Sequence, residues 1–289
     1  MCFICDAKTP AAKPAAHSAW SSRRAFVLAA GATAATTVTL PALAQVDVGG
    51  GSTLRKLVPA DQLEGAATKQ YSQMMAEARA KGALAPDGHP QVVRLRAIAS
   101  RLIPHAAKWN SRATGWKWEV NLLGSKQINA FCMPGGKIAF YTAILDDLKL
   151  TDDETAMIMG HEMAHALREH ARARLAKTQA TSIGLSLGAQ LLGLGDLGNV
   201  AANLGTQLLS LKFSREDETE ADLVGLELAA RAGYQPQAGV TLWQKMGAAG
   251  GGKSGPSFLS THPSGPARID ELKANVPKVQ GLYEQARRK

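Results

Sequence analysis

One stretch constrains this chain more than any other. Thr151-Asp152-Asp153-Glu154 opens a run in which Ala156, Met157, Ile158, Met159, Met163, Ala164, Ala166 and Leu167 surround His161, Glu162 and His165. Thr151 and Glu154 have the spacing of a capping box, in which hydroxyl and carboxylate each satisfy a free backbone N–H. The spacing predicts a helix from about Asp152 to about Lys177. Gly160 and Ala164 are small and let a second element approach. A helix so apolar is buried, and a buried pair of imidazoles beside a carboxylate needs partners.

Residues four apart on a helix lie about 40° apart around its axis and one turn along it. His161 and His165 can therefore aim at one ion, with Glu162 beside them. His-Glu-x-x-His on a helix is the zinc pattern of metallopeptidases: two ligands and a general base. The competing reading is an exposed helix face carrying chance histidines. Three protein ligands leave one zinc position for water, and Glu162 is placed to take its proton and pass it to the leaving nitrogen.

The third ligand comes from elsewhere. Glu216-Asp217-Glu218-Thr219-Glu220-Ala221-Asp222 is the strongest candidate region. Glu216/Glu220 and Glu218/Asp222 both have i,i+4 spacing, so periodicity leaves the choice open. A solvated acidic helix start, favoured by the macrodipole, is the bland alternative. His170 lies nine residues after His161, about 180° around a continuous helix, and is read as a structural histidine. His89 and His105 carry no constellation.

Around this core the chain reads as α+β and mainly helical. Helices are expected over 59–81, with Leu63, Ala67, Tyr71 and Met74 on one face, and near Val92–Ile103, about Arg215–Ala232, Pro236–Met246 and from Pro266 onward. Trp116–Val120, Ile128–Met133 and Lys137–Tyr141 read as three strands of a small antiparallel sheet, with Pro134-Gly135-Gly136 as a turn. With 289 residues, 45% of them hydrophobic, a sizeable core forms. The formal charge is +9, but no compact basic run with interleaved aromatics points to nucleic acid.

Further motifs make the chain resemble the gluzincin family that includes HtpX, the periplasmic proteases BepA and LoiP, and the CAAX prenyl endopeptidase. These are Asn129-Ala130-Phe131, Pro134-Gly135-Gly136, Tyr141-Thr142, Ser214-Arg215, Glu218-x-x-x-Asp222, Ala232-Gly233-Tyr234-x-Pro236, and Thr261-His262-Pro263 with Arg268, together spanning about Gly115 to Leu272. Ala143 departs from the usual glycine. The resemblance implies a zincin-type catalytic helix pair and one zinc ion per chain, held by His161, His165 and Glu218, with Asp222 orienting a ligand histidine. It also implies proteolysis of unfolded or misassembled polypeptides. It places the His262 loop near the active site, where His262 either fills the open zinc position as a latch or, like Arg268, serves the oxyanion. Asn129, Ala130 and Phe131 are expected to form an edge strand that pairs with an extended substrate.

Arg23-Arg24 precede an apolar stretch from Ala25 to Leu43, and Ala42-Leu43-Ala44 suits signal-peptidase cleavage. Residues 1–44 are therefore expected to be a twin-arginine-like export signal, 45–58 a flexible leader and 59–289 the metallopeptidase domain, in the periplasm. Removal of the signal leaves Cys132 as the single cysteine. Thr178–Gly195 carries no charge, and about 178–213 reads as a helical hairpin insertion, packed on the domain or touching lipid at the membrane periphery. The expected function is a zinc endopeptidase of misfolded envelope proteins. The alternative is a chaperone-like assembly factor with a usually latent site. The sequence does not fix the oligomeric state.

Overall fold

In the computed structural model the described residues are 46–178, 208, 211–250, 257–262 and 265–288, and all belong to one unit, Leu43–Lys289. The expected export signal and most of the expected hairpin insertion lie outside them. Helix α1 (Ala60–Ala80) buries Leu63, Ala67, Tyr71 and Met75 at a spacing of four, so its inward face takes Met75 where the sequence pointed to Met74. Helix α2 (Pro90–Leu102) starts at His89, whose side chain accepts from the Gln91 N–H. Its buried face is Val92, Leu95, Ile98, Ala99 and Leu102.

Three strands follow, β1 (Glu119–Leu123), β2 (Ala130–Met133) and β3 (Lys137–Tyr141), in the order β1-β3-β2. The α+β, mainly helical expectation holds, but the sheet is mixed: β2 is antiparallel to β3 and β1 is parallel to it. The short turn after Met133 makes the β2–β3 hairpin. Gly135 and Gly136 have φ of +84° and +77°, and a Cβ on Gly136 would lie 2.7 Å from the Trp118 ring. Between β1 and β2, Gly124 donates to the Ala83 carbonyl and Ser125 exchanges hydrogen bonds with Thr142. This carries the chain across to the other side of β3, which leaves β2 at the sheet edge, packed against the helix that carries His161.

A short helix α3 (Thr142–Asp146) leads to α4 (Asp152–Leu167), whose Thr151/Glu154 capping box is formed in both directions. Helix α4 stops ten residues before the expected end. Arg168 caps it, Glu169 takes a φ of +59°, and residues 170–178 resume as helix. Asn110 donates to the freed Leu167 carbonyl. Then come α5 (Arg215–Arg231), α6 (Ala238–Ala249), α7 (Ser257–Thr261) and α8 (Pro266–Arg287). Among the described residues no helix is long and apolar enough to cross a membrane.

Helices α4 and α5 touch backbone to backbone. A Cβ on Gly160 would sit 2.8 Å from the Gly225 carbonyl oxygen, and one on Gly225 would sit 2.6 Å from the His161 nitrogen. This contact sets how near the α5 carboxylates come to the α4 histidines. Gly225→Ala is expected to destabilise the fold by about 1–3 kcal/mol, because backbone cannot yield as a side-chain tip does. Urea unfolding measures it, and an unchanged midpoint would remove the crossing as a determinant of the site.

Candidate metal centre

Helix α4 is buried around its whole circumference from Glu154 to Leu167, so His161, Glu162 and His165 have no bulk water to turn to. Helix α5 begins with its own capping box, Ser214 with Asp217, and the crossing at Gly160 and Gly225 brings its first turns against them. Of the two acidic pairs left open by the sequence, Glu218 and Asp222 turn inward and are buried, whereas Glu216 is exposed. Glu220 turns to Arg168.

His161, His165, Glu218 and His262 each offer a ligand atom, and these atoms lie within 4.8 Å of one another. The Nε2 atoms of His161 and His165 are 3.1 Å apart, and Glu218 oxygens lie 3.6 and 3.5 Å from them. His161 Nδ1 is 3.0 Å from Asp222 Oδ1. An ionised carboxylate only accepts, so that contact puts the proton on Nδ1 and leaves the His161 Nε2 lone pair facing the cluster. Two imidazoles, a carboxylate and a third imidazole, all buried, suit a divalent ion such as zinc. Glu162 Oε1 is buried and without a hydrogen-bond partner, as expected of a group that serves a reacting molecule.

Burial drives His165 well below the ordinary histidine value, and His161, His170 and His262 add to the effect, which favours the lone pair a metal needs. Burial pushes the Glu162 carboxyl up, against the pull of His262 and His161. Burial also acts upward on Glu218, but the hydrogen bond from His262 and the charges of His161 and Arg268 outweigh it and hold the carboxyl below its usual range.

Two residues sit differently from expectation. His262 is buried at the end of α7, not in an open loop: its N–H bonds the Phe258 carbonyl and its ring stacks on Phe258. Its Nδ1 is 3.0 Å from Glu218 Oε1 and its Nε2 is 3.7 Å from Glu162 Oε1. Arg268 was expected to face an oxyanion. Instead it grips Asp222 with Nε and Nη2 at 2.7 and 2.8 Å, contacts Glu218 at 2.7 Å, and lies over the Trp243 ring at 3.7 Å. Its donors are committed to the carboxylates that flank His161 and His165.

Asn129, Ala130 and Phe131 line one wall of a cleft whose floor includes Glu162, His165 and His262. Asn129 and Tyr141 are hydrogen-bonded across the hairpin. Antiparallel alternation then turns the Ala130 and Cys132 backbone groups toward the free side of β2. The Asn129 side chain accepts from the Ala130 N–H at 3.0 Å. Phe131 is wedged edge-on between Tyr71 and Tyr141, and Cys132 is buried.

Sequence reasoning missed Phe213 and Trp243. Phe213 stacks on the His165 ring at 4.0 Å. It precedes the Ser214 cap, a position that favours an apolar residue, and that was its signal. Trp243 donates to Asp222 at 3.1 Å and meets the His161 ring edge-on. Nothing near it in sequence marks this role.

The geometry defines a metallopeptidase-type centre of the zincin class. The resemblance drawn from the sequence holds: the chain belongs to peptidase family M48, whose model matches residues 91–276. It is 36% identical over 213 residues to the mitochondrial metalloendopeptidase OMA1 of Schizosaccharomyces pombe, covering 73% of this chain and 60% of that protein. It is 41% identical over 173 residues to the Arabidopsis thaliana OMA1, covering 60% of this chain and 34% of that one. The beta-barrel assembly-enhancing protease of Escherichia coli is 26% identical over 205 residues, covering 66% of this chain and 40% of that protein. The chain thus spans less than two thirds of each of these relatives. The periplasmic expectation is corrected here, because the relatives at 36% and 41% identity are mitochondrial by name.

Proposed function

We propose that the chain is a zinc-dependent endopeptidase that cleaves extended segments of unfolded or misassembled polypeptides. One observation carries the reading: His161, His165 and Glu218 converge with Glu162, whose Oε1 makes no hydrogen bond, beside a strand that ends the sheet among the described residues. In this reading His161, His165 and Glu218 hold one zinc ion, and Asp222, clamped by Arg268 and Trp243, orients His161. The bound ion supplies polarisation of a water molecule and of the scissile carbonyl. Glu162 takes the proton of the attacking water and delivers it to the leaving nitrogen. The substrate backbone pairs with Ala130 and Cys132, displacing the Asn129 side chain from the Ala130 N–H. Mass spectrometry of reduced casein incubated with the zinc-loaded chain tests the reading. Internal cleavages are expected. Release of terminal residues alone, or capture of casein without cleavage, would reject an endopeptidase.

Two outcomes follow for the cleft. Ala130→Pro removes the free-edge N–H and leaves the hairpin pairing to β3 intact, so kcat/KM is expected to fall about 3–10-fold, the worth of one hydrogen bond. Unchanged kinetics would reject pairing along this edge. His262 stands between Glu162 and Glu218, so His262→Ala is expected to open the site and raise casein hydrolysis. A fall of roughly 10²–10³ would instead make it an oxyanion donor.

A further inference from the structure

His161 and His165 are supported in different ways. His161 hands its Nδ1 proton directly to the Asp222 carboxylate. His165 has no carboxylate on its Nδ1; what lies there is another imidazole, His170 Nδ1, at 2.9 Å. On a continuous helix residues five apart point about 140° away from each other, so this contact exists because α4 breaks. The break falls on Arg168 and Glu169, with Glu169 at a φ of +59°, a conformation that residues other than glycine rarely adopt. Four contacts hold it there. Asn110 donates to the Leu167 carbonyl, Arg172 and Arg55 pair with the Glu169 side chain, and Arg168 reaches Glu220. A local conformation that costs energy, held in part by Asn110, Arg55 and Glu220 from distant parts of the chain, points to a function for what it positions.

If the His165 Nε2 lone pair faces the cation, as the proposed function requires, its proton is on Nδ1. His165 Nδ1–H then donates to His170, whose Nδ1 must accept and whose proton is on Nε2. That Nε2 is buried, makes no hydrogen bond, and lies 3.3 Å from Glu220 Oε2. The other Glu220 oxygen is taken by Arg168. The row is therefore His165, His170, Glu220 and Arg168, ending in an ion pair. Phe213 closes its other side by stacking on His165 and approaching His170.

We propose that His170 is a positioning residue for the metal. It fixes the tautomer and ring orientation of His165, and the charge of the nearby Glu220 carboxylate favours the His170 tautomer with its proton on Nε2. The inference rests on His165 being a zinc ligand. The partner of a ligating histidine's second nitrogen typically alters metal affinity about 10–100-fold. His170→Leu keeps an apolar body and has no acceptor. His170→Asn keeps an amide oxygen near the Nδ1 position.

The test is zinc affinity of the purified chain by competition with a chromophoric chelator, alongside the melting temperature of each zinc-free protein. His170→Leu is expected to weaken zinc binding roughly 10–100-fold, and His170→Asn to recover a clear part of that loss. Affinity within about twofold of wild type in His170→Leu overturns the proposal. So do equal losses in both variants that follow equal drops in zinc-free melting temperature, since those report packing alone. Should the variants fail to fold, the zinc-loaded wild-type chain decides through its long-range ¹⁵N–¹H histidine spectrum. The proposal requires the proton on Nδ1 of His165 and on Nε2 of His170, and a proton on His170 Nδ1 overturns it. A wild-type chain that binds no zinc fails the proposed function itself, an outcome separate from these.

Discussion

Glu162→Gln is expected to lower kcat for casein by about 10²–10⁴, the usual worth of a positioned general base, with zinc content and melting temperature unchanged. Glu162 is buried and belongs to no ion pair tighter than the 3.7 Å approach of His262. The amide fills the same volume and displaces no proposed ligand, so the fold and the metal have no reason to respond. What it loses is the capacity to take a proton, which burial enhances by pushing the carboxyl up. The loss should therefore fall on kcat, with KM nearly unchanged. The same variant separates the two readings of the chain's purpose. A chaperone-like factor would keep suppressing aggregation of an unfolded client at wild-type strength, and its hydrolysis would be negligible before the substitution as well as after. Hydrolysis by Glu162→Gln within about threefold of wild type would remove the base from the mechanism.

Arg268→Ala carries the largest expected effect on stability. Asp222 and Glu218 are both buried on α5, and the arginine is the cation that faces them. Burial alone would raise the Asp222 carboxyl, yet the Arg268 charge and the hydrogen bond to His161 hold it below its usual range. Removing one partner of a buried pair leaves an uncompensated charge, at about 3–5 kcal/mol. The Trp243 face beneath the guanidinium is exposed by the same substitution. Lysine is no replacement, because one ammonium cannot reproduce the two-point grip on Asp222. Urea unfolding of the zinc-free chain measures the effect. Added zinc should restore part of the loss, since an ion bound only by the folded state stabilises it. A loss under about 1 kcal/mol would show that Arg268 is not what holds the α5 carboxylates.

The site was legible where it depended on local chemistry. His161, Glu162 and His165 announce themselves by spacing, and the Thr151 and Ser214 caps mark where their helices start. Glu218 and Asp222 needed family resemblance, because which face of α5 turns inward depends on the glycine contact with α4. The end of α4 was not legible. Arg168-Glu169-His170 contains neither glycine nor proline, and helix propensity there is ordinary; Asn110, Arg55 and Glu220 hold the break from elsewhere. For the same reason the rotation that placed His170 on the far side of a straight helix gave the wrong neighbour. Strand direction was equally hidden, since the alternation in Trp116–Val120, which the structure carries on to a strand at Glu119–Leu123, does not depend on whether the partner runs parallel or antiparallel. The role of Arg268 was misjudged because its partners, Asp222 and Glu218, lie 46 and 50 positions back in the chain.

In the proposed function, one zinc ion at His161, His165 and Glu218 is what makes the chain a peptidase. Chelation followed by stepwise return of zinc, with casein cleavage and bound metal followed together, tests it most directly. Cleavage is expected to disappear with the metal and to return in proportion to it, reaching a plateau at about one zinc per chain, with no return in His165→Ala. Cleavage that survives complete removal of metal, or that returns equally well in His165→Ala, would contradict it.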